Sequence, residues 1–419
     1  MASTALLALS ALALGCRASR YGPDATFAPQ WPAGAHTFSA VGVGRVAGRH
    51  GRAGAILFVT QRGNASIPPV LVLNATTGAL LDSWGEDSVA LDRSTPSAPT
   101  WGAHGISVKQ CDHPCNPDGG IFSSIRIWID DFTGHTVTGF TGAGKQIVQL
   151  GTPGIAGNGT SPLQFDGVSD SAIVSSSGLS RVFSSDGDGG AANRVVAVSV
   201  ASGNRVHLDW ATPQVYDNPH SIAYHRSGML ILAVREQNQT RLLDASSGQD
   251  LGSWDCGLNL GMAGKPFGVR TLSTQHHDLV FLSIMNNPQD GRNQKIAVLD
   301  GSGLQLAKGG SSACEVLQVI EVDTAHSGPH MMGVDPETGD LYAALVADQP
   351  LSTVLRCTRR ACTRTTHGGQ QCVATLFLRE SVLSRTALFL IGSGAPPCQC
   401  WGSASAWHDY SATFALPDV

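Results

Sequence analysis

Apolar positions along the chain come in short runs bounded by Gly, Pro, Asn, Asp and Ser, with almost no helical periodicity. Ala55-Ile56-Leu57-Phe58-Val59 is followed by Val70-Leu71-Val72-Leu73, a turn at Ala75-Thr76-Thr77-Gly78, and a closing strand through Leu80, Leu81 and Trp84. Most later stretches repeat that order: inner strand, Gly turn, hydrophobic strand, polar loop, then a strand reading like Arg-Val-Val-Ala-Val. Units are predicted at about 38–84, 104–148, 169–198, 220–254, 267–300 and 330–346. Their spacing, roughly 50 to 60 residues, lies within or a little above the range of propeller blades. Six of them predict an all-β six-bladed β-propeller, in which radial repetition leaves only short protected edges. A pair of three-unit sandwiches is the competing arrangement.

Like motifs punctuate the repeats. Ala103-His104-Gly105-Ile106-Ser107-Val108, Pro219-His220-Ser221-Ile222-Ala223 and Pro329-His330-Met331-Met332-Gly333-Val334 each put a histidine at the start of an apolar-rich run. The histidines are separated by 116 and then 110 residues, a near-equal spacing that again signals repetition.

Composition fits this picture. Among 419 residues there are 49 Gly and 21 Pro, which supply turn dihedrals for many short strands. A net charge of −5, with no basic cluster on a periodic segment, argues against nucleic acid as the main partner. Residues 1–18 read as a signal peptide. Ala5 opens a small, apolar run ending at Leu14, and Cys16-Arg17-Ala18 offers a cleavage point. That run is too short to span a bilayer, and the apolar part of 373–391 is broken by Arg379, Glu380 and Arg385, so no membrane span is expected.

Ten cysteines fit an oxidising compartment, secreted or in the lumen of the secretory pathway. Losing Cys16 with the signal leaves nine, so at least one is unpaired, intermolecular or misassigned. Cys111 and Cys115 are near enough to close a small loop, and Cys256 and Cys314 flank one repeat in a position to staple it. Asn-x-Ser/Thr acceptors at Asn64, Asn74, Asn158 and Asn238 do not contradict secretion. The propeller is expected over 30–356. Residues 357–419 form a short, irregular, Cys-containing extension in which stretches such as 373–378 are candidates to complete the sixth blade.

In a propeller the first strand of each blade lines a central channel, so equivalent strand starts form a ring around one axis. That ring holds His104, His220 and His330 on blades two, four and six, with Phe38, Ser169 and Phe267 on the odd blades. Three imidazoles with a vacant fourth position make the open zinc geometry, able to polarise an oxygen or lower the pKa of bound water. A lone histidine would more simply cap a strand start. Arg62 and Arg235 end the second strands of blades one and four, either over the channel mouth to bind a carboxylate or facing solvent. Asp130, Asp131, Asp186 and Asp188 follow strand ends, where turn-making is their ordinary role. His113, His135 and His276-His277 lie off the ring and are treated as structural. Gly139 and Gly144-Lys145 match P-loop spacing, but Gln146 stands where the magnesium-binding hydroxyl belongs, and a hairpin suits the setting better.

The strings Phe140-Thr141, Leu150-Gly151-Thr152-Pro153-Gly154, Pro162-Leu163-Gln164-Phe165-Asp166, Ser185-Asp186-Gly187-Asp188-Gly189-Gly190, Pro219-His220-Ser221 and Pro329-His330 resemble the secreted NHL-repeat-containing proteins over roughly 30–350. That group is similar to the peptidyl-α-hydroxyglycine α-amidating lyase, a six-bladed propeller with zinc held by three histidines. The resemblance implies an NHL-type propeller with zinc on His104, His220 and His330, and active-site arginines at Arg62 and Arg235. It also implies a peptide or protein ligand at the channel mouth. Two positions depart from the lyase. Asp188 stands where the lyase has a catalytic Tyr, leaving Asp188 as a substitute base. Met331 stands where it has a calcium-binding Asp, so calcium is not expected. The implied function is a metal-bearing binding module or divergent lyase-like protein. The alternative is a working zinc-dependent amidating lyase.

Overall fold

The computed structural model describes residues 20–360 apart from 25, 47–53, 93–98, 112–114, 116–119, 177–178, 202, 276–277, 286–293, 305–313, 323–327 and 347–352. The expected signal, most of the C-terminal extension, His113 and His276-His277 lie outside the described residues. Six four-stranded sheets follow one another along the chain. Blade one is Phe38–Val46, Gly54–Gln61, Val70–Asn74 and Leu80–Trp84. Blade two is Ala103–Gln110, Ile125–Asp131, Thr136–Thr141 and Gln146–Leu150. Blade three is Val168–Ser176, Leu179–Asp186, Arg194–Ala201 and Arg205–Ala211. Blade four is Pro219–His225, Met229–Val234, Gln239–Asp244 and Asp250–Ser253. Blade five is Lys265–Ser273, Asp278–Met285, Lys295–Asp300 and Val316–Glu321. Blade six is Gly328–Val334, Leu341–Val346 and Thr353–Arg360, with Arg20–Pro23 as its outermost strand.

Each inner strand packs against the inner strand of the next blade, and the sixth packs against the first, so the ring closes as a six-bladed propeller. The fold is all-β. Stacking explains the unbroken hydrophobic runs: a second strand is covered on both faces by neighbouring blades. Every residue of Met229–Val234 is accordingly buried. The outer strand Leu80–Trp84 is mostly exposed instead.

Between blades one and two, Phe58, Val72 and Trp84 pack with Ile106, Ile127, Ile129 and Phe140. Trp84 also covers Gly144, whose φ of +81° suits a residue without Cβ and where an added Cβ would lie 2.6 Å from the indole. That turn joins two strands of blade two as a hairpin, so the P-loop-like spacing sits in no strand-to-helix setting.

The fourth place in blade six is taken by residues before the propeller's first blade, and 373–378, a candidate for completing that blade, lies outside the described residues. Strands therefore extend on both sides of the expected 30–356 span. Both predicted cysteine pairs, Cys111–Cys115 and Cys256–Cys314, are disulfide-bonded, and Cys357 is a buried free thiol. No helix among the described residues is long and apolar enough to cross a membrane.

Candidate metal centre

Each inner strand carries a β-bulge near its start. The pairing with the second strand skips Ser39, His104, Ser169 and His220 in blades one to four. It skips Phe267-Gly268 in blade five and His330-Met331 in blade six. A bulged residue is released from the ladder and its side chain is re-aimed. Six bulges at equivalent positions therefore make the ring that the sequence implied, with one change. Ser39 holds the blade-one place, because the bulge falls one residue later than expected, while Phe38 is buried and stacks on Trp31 at 4.1 Å.

The three histidines meet. Ring centroids are 5.1 Å apart for His104 and His220, 4.9 Å for His104 and His330, and 4.8 Å for His220 and His330. One potential ligand atom from each lies within 4.8 Å of the others, and all three residues are buried. The other ring nitrogens are held by the odd blades. Nδ1 of His104 lies 2.9 Å from the carbonyl oxygen of Ser169, that of His220 2.9 Å from Phe267, and that of His330 2.6 Å from Ser39. A carbonyl can only accept, so each Nδ1 carries the proton and each neutral ring keeps its lone pair on Nε2. Nε2 of His220 is buried with no hydrogen-bond partner. Burial, together with the neighbouring imidazoles, pushes His220 down to about 3 and His330 well below the usual imidazole range. Both rings therefore stay neutral and able to ligate near pH 7.

Asp188 borders two of the three histidines. Gly187 brings it there at φ +156°, where an added Cβ would lie 2.8 Å from the Asn193 backbone. One carboxylate oxygen, Oδ2, lies 3.1 Å from His104 Nε2 and 3.7 Å from His220 Nε2. Oδ1 accepts from Asn218 Nδ2 at 3.0 Å and from Arg235 at 3.0 Å. Burial raises the proton affinity of this carboxyl; His220 and His104 when protonated, together with Arg235, outweigh it and hold the group well below the usual range.

Both arginines face the same cluster. The Arg235 guanidinium stands 5.2 Å over the Phe267 ring, and its Nε bonds Glu236 at 3.0 Å. Arg62 donates from Nε to the Trp101 carbonyl at 3.2 Å and stands 5.7 Å over Phe132. Burial lowers its pKa, opposed by Asp188, Asp92 and Asp131. Phe267 packs 4.9 Å from the His220 ring, and Phe132 6.3 Å from His104. Each guanidinium therefore lies on an aromatic face that itself abuts the imidazoles.

The remaining aspartates separate. Asp131 accepts from the backbone N–H groups of Ala90 and Gly134 at 2.6 and 2.7 Å, the turn-fixing role expected. Asp186 is paired with Arg194 at 3.1 Å and accepts from the Asp166 N–H at 2.7 Å. Asp130 makes no turn. It is fully buried, accepts from Ser171 at 2.5 Å, and pairs across the sheet with Gly105. Asn218, Phe132 and the three odd-blade carbonyls escaped the sequence reading. Only Asn218, next to Pro219-His220, lay beside a motif. Met331 is wholly buried among apolar residues including Ala40 and Ile106, so its thioether faces core rather than ligand oxygens.

No protein-family model matches the chain. It is similar to NHL repeat-containing protein 3 of Mus musculus, with 29% identity over 302 residues, covering 69% of this chain and 73% of the relative. The Homo sapiens protein of the same name is 28% identical over 260 residues, covering 57% of this chain and 67% of that one. These two relatives support the NHL-repeat family for this chain. Among solved structures, the PQQ-bound aldose sugar dehydrogenase of Streptomyces coelicolor has a TM-score of 0.44 at 11% identity, covering 82% of this chain and 98% of that one. The NHL likeness rests on the sequence relatives, and the propeller on the six sheets.

Proposed function

We propose that this NHL propeller holds one zinc ion on His104, His220 and His330 and binds a peptide or protein ligand, through its carboxylate, at the channel mouth. The supporting observation is the set of three buried Nε2 lone pairs, each left free because Nδ1 keeps its proton and donates it to a carbonyl of the next blade in a hydrogen bond. Partners of this kind orient ligating imidazoles and fix their tautomer. Bound there, zinc supplies a Lewis acid to a ligand oxygen. Arg62 is oriented by a main-chain carbonyl, which leaves its charge for a ligand anion. Arg235 is committed to Asp188 and Glu236 and shapes the other side of the mouth. In this reading the protein is a binding module of the secretory pathway. The two disulfides are compatible with that compartment.

Metal analysis of the purified protein tests the centre. About one zinc per chain is expected for the wild type and little for His220→Ala, as a three-His site requires. Equal content in both would remove the site.

A second reading, the zinc-dependent amidating lyase, is favoured by three histidines and two arginines standing together. Against it, Asp188 replaces the expected Tyr, and its Oδ1 is already bonded by Arg235 and Asn218, which makes it a weak base. Incubation with a peptidyl-α-hydroxyglycine, with and without chelator, separates the two readings. Chelator-sensitive glyoxylate release supports the lyase, and its absence leaves the module.

A further inference from the structure

The geometry points to Asp188 as a fourth protein ligand, converting an open three-histidine centre into a closed one of three nitrogens and one carboxylate oxygen. This rests on the metal-binding reading above and goes beyond it, because it changes what the metal can do.

At this site acceptor faces acceptor. Nδ1 of His104 and of His220 each faces a carbonyl, so neither neutral ring has a proton on Nε2. Yet Oδ2 of Asp188 lies 3.1 Å from one Nε2 and 3.7 Å from the other. Lone pairs facing each other at that range repel, and a buried acceptor without a donor is unfavourable. Nε2 of His220 has no hydrogen-bond partner among the described residues. A single cation bound by these atoms satisfies all of them together.

The other half of the carboxylate is fixed. Asn218 Nδ2 and the Arg235 guanidinium both donate to Oδ1. They hold the group so that Oδ2, and not Oδ1, is directed at the imidazoles. A ligating carboxylate is expected to have such hydrogen-bonded support. The loop that carries Asp188 is itself tied down, its N–H bonded to the Gly167 carbonyl at 2.8 Å.

Three imidazoles alone leave one tetrahedral position for water or substrate. With Asp188 in that position the protein supplies all four ligands. An exogenous oxygen then reaches the metal only by displacing the carboxylate or by raising the coordination number. The replacement of a Tyr-type base by Asp and the loss of an open metal position are thus one change. That change favours holding a ligand over turning it over.

Cobalt(II) titration of the full-length protein, followed by its visible ligand-field bands, tests this. The wild type is expected to bind one cobalt with a four-coordinate spectrum that millimolar azide leaves unchanged. Asp188→Asn, with an unaltered far-UV circular dichroism spectrum, should bind cobalt and zinc at least tenfold more weakly. That loss is comparable to the ~10–100-fold caused by removing an outer partner. Its cobalt bands should become azide-sensitive. Unchanged affinity and bands in Asp188→Asn would overturn the fourth-ligand assignment and leave the three-His centre intact. If the variant does not fold, an azide-sensitive wild-type spectrum overturns the assignment by itself. A wild type that binds no cobalt or zinc defeats the underlying centre instead.

Discussion

At the scale of single residues, the centre depends on where one proton sits on each imidazole. The carbonyls of Ser39, Ser169 and Phe267 accept hydrogen bonds from the Nδ1–H groups, and burial keeps His220 and His330 neutral. The arginines divide the remaining work. Arg235 neutralises Asp188, whereas Arg62 is pinned through a main-chain oxygen over Phe132. Arg62→Ala is therefore expected to weaken capture of a peptide with a free C-terminal carboxylate by about 10- to 100-fold. That range corresponds to the ~1.5–3 kcal/mol of a charged hydrogen bond. Zinc content should not change. Isothermal titration with the free acid and with the same peptide amidated checks this, since the amide should not distinguish wild type from variant. A loss of equal size for both peptides would mean that Arg62 does not read the carboxylate.

At the scale of elements, strands were legible because blade stacking demands continuous apolar runs such as Met229–Val234. The histidines were legible because one element position recurs in every blade. The bulges were not. A bulge is a slip in backbone pairing with no fixed residue type, so Phe38 was read where Ser39 stands. Carbonyl partners for imidazoles have no sequence signature at all. Asp130 shows the same limit: it reads as a turn residue, yet it faces the interior beside a second charged group. Asp170 is held by Arg270 at 2.6 and 2.9 Å and by Ser221 at 2.5 Å, and its charge adds to burial in pushing Asp130 up to about 8. Asp130 is thus protonated in the folded state at pH values where the unfolded chain ionises it. Its favourable contribution is complete below about pH 4, declines as pH rises, and is gone above about pH 8. Between pH 5 and pH 8 the loss is on the order of 4 kcal/mol. Asp130→Asn, with no proton to release, should flatten that decline and be more stable than wild type at pH 8. Urea melts at the two pH values measure it, and an unchanged slope would show that Asp130 is ionised in the native state.

At the scale of the whole molecule, the propeller is a ring, and a ring made from one chain must be closed somewhere. Here Arg20–Pro23 joins blade six beside Thr353–Arg360, so the two ends of the propeller lie in one sheet. Four residues are too few to show a period, so no repeat is legible there. The closure is anchored by Tyr21, which is 2% exposed and meets the Phe281 ring edge-on at 5.3 Å. Its backbone N–H donates to Gln318 Oε1 at 2.7 Å, and its carbonyl accepts from Gln318 Nε2 at 2.7 Å, which fastens the strand to blade five as well. Charges reinforce the seam where Arg356 bonds Asp24 at 3.2 Å and Asp340 at 2.7 Å. Tyr21→Ala leaves a ring-sized cavity at the seam, so a loss of about 3 kcal/mol is expected. Limited proteolysis should then cut near residue 20 before the rest of the propeller opens. The hydroxyl behaves differently from the ring. It is buried without a hydrogen-bond partner among the described residues, and an unsatisfied buried hydroxyl is unfavourable. Tyr21→Phe should therefore match or exceed the wild-type melting temperature while Tyr21→Ala falls below it. Equal destabilisation by both substitutions would mean that the hydroxyl, and not the packed ring, secures the closure.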